Sequence, residues 1–206
     1  MRIKRRIWPL FAIGLTLFTT AAATSAYVDQ LHLNFSAAAI GSPEEFRLVV
    51  VDEGKVVRHD NAVLPIADSN LLFPGHTLSK QLIVANNHRV IAGDVEVSLD
   101  AIGVDGGFDL SGYLRFTVID QDGTVLMGDK DHPENGESRW DAKASLGKLL
   151  GRAKPSLQDG ADWVPGSASS YREITILIHL LNHAALQQQH SGLARVLLRL
   201  EATTVS

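Results

Sequence analysis

The chain has no cysteine, so disulfides, thiol nucleophiles and thiolate-bound metals are excluded at once. Its stability must come from core packing, a bound ion or assembly. After residue 23 no apolar run is long enough to span a bilayer. No repeat or low-complexity tract stands out, and Gln187-Gln188-Gln189 is too short to count as one. Phosphate loops are missing too: Gly103 to Gly107 carries Asp105, whose charge would repel a phosphate. There is no H-E-x-x-H zinc motif and no G-x-S-x-G nucleophile elbow.

What is present begins at the N-terminus. Arg2, Lys4, Arg5 and Arg6 form a basic head, Ile7 to Ala23 follow without a charge, and Thr24-Ser25-Ala26 supplies a small-residue exit before Tyr27. That order is the pattern of a secretory signal peptide and predicts cleavage between Ala26 and Tyr27. The alternative is an uncleaved anchor, but the run is short for a span, and Pro9, Gly14 and several Thr weaken it as a permanent helix. Residues 1–26 are read as the signal, and 27–206 as one exported domain, secreted or held at the cell surface. Of 19 Lys and Arg, the head holds four; the remaining 15 face 23 Asp and Glu, a formal charge of −8. An acidic surface of that kind excludes nucleic acid and anionic lipid as partners.

About 180 residues suffice for one domain with a substantial core. Val95, Val97, Leu99 and Ala101 alternate with Glu96, Ser98 and Asp100, the two-residue period of a strand with one wet face. Ile174, Ile176, Ile178 and Leu180 repeat the pattern, as do Val196, Leu198, Leu200 and Ala202. Phe46 to Val51 and Lys55 to Arg58 read as a hairpin around Asp52-Glu53-Gly54, and Tyr113 to Ile119 and Thr124 to Met127 as a second one. Gln81 to Ala85 adds a further strand. One interval breaks the pattern: Ala142, Leu146, Leu149 and Leu150 fall at helical spacing, with Ser138 as N-cap and Gly151 past the end. The expected fold is an all-β, antiparallel, jelly-roll-like sandwich with a helix-containing excursion at about 129–166.

Specific motifs carry a resemblance. Leu71-Leu72-Phe73-Pro74-Gly75-His76, running through Gln81 to Ala85 into Asn86-Asn87, resembles the "leucine, Pro-Gly, strand, asparagine" segment of the TasA/camelysin family. Physically, Pro-Gly turns the chain into a strand, and the paired Asn suit the turn out of it. Gln189-His190-Ser191-Gly192 leading to Glu201-Ala202-Thr203 is similar to the family's closing strand, and Ala26-Tyr27-Val28-Asp29 to the exit of its SipW-type signals. The resemblance implies an exported jelly-roll sandwich that polymerises into biofilm matrix fibres, with self-association, a signal peptidase and other matrix or cell-wall components as its partners. In that picture the freed N-terminal segment adds a strand to the next subunit. Tyr27, Val28, Leu31, Leu33 and Phe35 are the candidate donor residues; the same segment also reads as an ordinary first strand of its own domain. The connection through Ala37 to Ile40 and Pro43-Glu44-Glu45 departs from the family's tighter approach and bears on the register of any exchange.

No catalytic site, cofactor or metal is expected from the sequence. His179 and His183 have i, i+4 spacing, but no base lies between them and the first sits at a strand end, where it reads as a solvated His. Asp120, Asp122, Asp129, Asp131 and Glu134 lack the spacing of a calcium loop and read as a solvated acidic turn, with calcium the alternative. The functional expectation is therefore a structural matrix protein. A monomeric cell-surface binding module is the alternative, with Trp140 and Trp163 as possible glycan contacts. A secreted metallopeptidase, a label some family members carry, ranks third.

Overall fold

The computed structural model describes residues 25–28, 30–37, 47–59, 61–66, 72–105, 107–139, 141–187 and 191–205. Most of residues 1–26, expected to be a signal, lie outside them, as do Asp29, the connection 38–46, Leu71, Trp140 and residues 188–190. The strands are β1 (Ser25–Tyr27), β2 (Gln30–Ala37), β3 (Leu48–Asp52), β4 (Lys55–Val57), β5 (Val63–Pro65), β6 (Thr77–Asn86) and β7 (Ala92–Gly103). They continue with β8 (Phe108–Asp109), β9 (Leu114–Asp120), β10 (Val125–Met127), β11 (Ala144–Leu149), β12 (Tyr171–Leu180) and β13 (Ser191–Val205). Two sheets result. One has the order β11-β7-β13-β2-β5, with β1 and β8 also paired to β13; the other runs β10-β9-β12-β6-β3-β4.

The alternation sorts each strand into an inner and an outer face. Val95, Val97 and Leu99 of β7, Val196, Leu198 and Leu200 of β13, and Leu31 and Leu33 of β2 enter one core together with Ile174, Ile176 and Ile178 of β12 and Phe116 and Val118 of β9. The fold is an all-β sandwich of two packed sheets. The hairpin between β3 and β4 turns at Glu53 and Gly54, with φ of 48° and 77°. Positive φ at both central positions matches strand twist, and it is cheap only where glycine supplies one of them.

Two expectations need correction. The first sheet is mixed, not antiparallel: β1, β2 and β8 all run parallel to β13. A period of two reports which face a residue takes and is the same for either strand direction, so periodicity could not reveal this. The expected helix at 138–150 is a strand. β11 pairs antiparallel with β7, and its register shifts between Ser145 and Gly147, where Gly147 has φ of 69°. Ala144 and Leu146 point inward, the bulge inserts one residue, and Leu149 is inward again. The bulge converts a two-residue period into a spacing that imitates a helix. Leu150, assigned to the same apolar stripe, is 42% exposed. The only α-helix among the described residues is the four-residue turn Ala184–Gln187. The excursion is therefore two loops separated by an edge strand.

One polar pair lies inside the sandwich. Leu78, Lys80, Leu82 and Val84 share the buried face of β6, and Lys80 Nζ meets Asp52 Oδ1 at 2.6 Å with both side chains under 10% exposed.

Candidate functional site

The N-terminal strand is the first candidate. β2 lies between β13 and β5, pairing Leu31 with Val196, Leu33 with Leu198 and Phe35 with Leu200. Val28, Leu31 and Leu33 are at most 1% exposed, and Phe35 packs half-buried against the same core. All four of these candidate donor residues pack into their own chain's core in the single molecule. Ala26 and Tyr27 form part of β1, in parallel register with Gly192 and Leu193, so the expected scissile bond falls inside a short paired strand.

The motif that carries the family resemblance builds one end of the sandwich. Leu72 is buried, and Phe73 to His76 form a turn closed by His76 N–H donating to Phe73 O at 2.8 Å. Gly75 has φ of 85° after Pro74, the backbone of a type II turn. The turn is tied to β12 by Gly75 N–H donating to Leu180 O at 2.7 Å.

Asn86 and Asn87 do more than turn the chain. Asn86 Oδ1 accepts from His88 N–H, while its amide donates to Ile91 O and Leu150 O, linking the end of β6 to the end of β11. Asn87, with no exposed surface, clamps the loop after β11. Its Oδ1 accepts from Leu157 N–H at 2.9 Å and from Arg152 Nη1 at 3.1 Å, and its Nδ2 donates to Leu157 O at 2.9 Å. Arg152 is 2% exposed and also donates to Val164 O at 2.8 Å, yet among the described residues no carboxylate pairs with it. Its partners are dipoles and the Trp163 ring, 5.8 Å from the guanidinium carbon. Trp163 packs edge-on against Tyr171 and covers the outer-face residues Val49, Val51, Val56 and Ala85. It anchors a loop, which is the usual role of a packed Trp. Sequence reasoning missed Arg152, since nothing in a polar loop marks one arginine for burial.

His179 departs from the solvated reading: it is 7% exposed, with Nδ1 at 2.8 Å from Thr77 Oγ1. Burial pushes its imidazole below the usual value of 6.5; Glu134 opposes the shift, while His76 and Arg115 add to it. The unfolded chain therefore binds a proton at a pH where the folded one does not. Stability from this site is complete above about pH 6.5 and is lost as pH falls from there through the depressed folded value. Thermal melts at pH 7.5 and 5.5 are expected to show a smaller acid-induced drop in Tm for His179→Gln than for the parent; equal drops would refute the assignment. His183 instead lies against the Tyr113 ring, at 5.2 Å between centroids.

Of the acidic residues of 120–134, Asp120, Asp122 and Asp129 close turns. Asp129 Oδ1 accepts from the N–H groups of Asp131 and His132, and Asp120 Oδ1 from that of Gln121. The N–H and hydroxyl of Thr124 hold the Asp122 carboxyl below its usual range. Among the described residues no three His, Asp or Glu side chains converge as a metal site requires. No described helix is long and apolar enough to cross a membrane. Compared with known proteins, the chain matches no protein-family model and no curated protein.

Proposed function

We propose that the protein is exported and serves as a structural component of an extracellular or cell-surface matrix, assembling by exchange of its N-terminal strand between copies. The observation that carries this reading is the position of β2. It is one self-contained strand whose apolar side chains plug the groove between β13 and β5, and every strand it touches comes from elsewhere in the sequence. A strand held this way can be supplied by a second copy with the same register and the same buried contacts. The TasA/camelysin resemblance of the signal exit, the Pro-Gly turn and the closing strand supports the same picture, in which signal removal after Ala26 frees Tyr27 to Phe35. We assign no catalytic step to this role.

Light scattering and electron microscopy of the processed protein are expected to show polymers. Deletion of residues 27–35 should abolish them and leave a particle that binds a synthetic 27–37 peptide. A strictly monomeric protein under all conditions, with the deletion variant equally stable, would sink the proposal.

A further inference from the structure

The outer face of the second sheet is only partly covered. Leu157 and Trp163 lie over Val49, Val51 and Val56 at one side, and this cover reaches the half-buried Ile83. Beyond it an open trough of about 510 Å³ runs over β3, β6, β12 and β9, rimmed by the turns at Glu53-Gly54 and Gln121–Gly123. Four neighbouring strands give it a width of about 14 Å.

Two features define what fits. Its floor includes the aliphatic Ile83 and Ile119, and among the described residues no aromatic ring lines it. Glu53, Asp120 and Glu173 are among the residues that line it, and among the described residues no Lys, Arg or His lines it. Asp120 is partly engaged by Gln121 N–H, whereas the side chains of Glu53 and Glu173 are exposed and make no hydrogen bond or ion pair with another described residue. Lys55, on the adjoining hairpin, is held by Asp162 at 2.6 Å. Sugar platforms use ring faces, which this trough lacks. A lysine or arginine side chain suits both features, with its methylene stem over the aliphatic floor and its charged end at the carboxylates.

We propose that this trough docks an extended, Lys- or Arg-bearing peptide segment of a partner protein. The site lies on the sheet opposite β2, so it stands whether or not copies exchange strands. A fluorescein-labelled peptide of four Lys-Thr repeats, titrated into the purified protein and followed by anisotropy, tests it. Saturable binding is expected, weakened about ten-fold or more when Glu53→Gln and Glu173→Gln are combined, as loss of charge-assisted hydrogen bonds requires. Asp94→Asn with Asp141→Asn removes the same net charge from exposed positions outside the trough and should leave affinity unchanged. All four substituted carboxylates are exposed, so circular dichroism should show the parent fold in both variants. The proposal fails if the two double variants weaken binding equally, or if the trough variant binds like the parent. It fails equally if a Glu-Thr peptide binds as well, or if a glucosamine tetramer binds and the Lys-Thr peptide does not.

Discussion

Lys80→Met is expected to destabilise the protein by about 3–5 kcal/mol, a large share of the 5–15 kcal/mol typical of a domain. Lys80 points into the sandwich from the middle of β6, and its only ionic partner among the described residues is Asp52 at the end of β3. Removing the cation leaves a carboxylate inside the core, where it must stay charged without a partner or take up a proton. Asp52→Leu should cost a comparable amount by stranding the ammonium. Double replacement, Asp52→Leu with Lys80→Met, removes both desolvation penalties together and should recover most of the loss. Urea denaturation of the three variants measures this as a double-mutant cycle. Single variants within 1 kcal/mol of the parent, or a double variant as unstable as the sum of both, would contradict the buried-pair account.

The second large effect is expected at Asn87. Truncation to Ala deletes three side-chain hydrogen bonds and leaves Leu157 N–H, Leu157 O and an Arg152 N–H without their partners. At roughly 1 kcal/mol or more for each buried group left unmet, the loss is about 3 kcal/mol or greater. The loss has a direction as well as a size. Loop 150–166 covers Val49, Val51 and Val56 through Leu157 and Trp163, so its release should expose that apolar patch while the main core persists. Limited proteolysis should then cut Asn87→Ala between residues 152 and 166 well before the parent is cut. Adding Arg152→Leu should cost less than its single effect, because Arg152 has already lost its Asn87 acceptor. A parent-like cleavage pattern would show that the loop is held by something other than this clamp.

Much of the framework was legible. The regular alternations at 95–101, 174–180 and 196–202 became β7, β12 and β13, because burial of every second side chain is a local property that a strand carries in its own residues. Both hairpins were readable for a similar reason: Glu53-Gly54 and Gly123 impose backbone geometry within two or three residues. Lys80 was also readable in principle, as a charge at a core position of an apolar alternation. The interval 138–150 was misread because a bulge at Gly147 adds one residue to a strand, and local periodicity cannot distinguish that from a helical turn. The clamp at Asn87 was hidden for a different reason. Its partners lie 65 and 70 residues away, and no local rule pairs an asparagine with a distant arginine and leucine.

The sequence alone determined the class of the molecule: a cysteine-free chain with a signal-like start and strands whose apolar faces demand two packed sheets. Those features depend on composition and on neighbours within a few residues. Only the tertiary structure decided that β2 enters parallel to β13, that β11 completes the first sheet, that His179 is buried, and that an acidic trough stays open on the second sheet. Each of these depends on which distant segment comes to lie alongside, and that is settled by the global packing of the core.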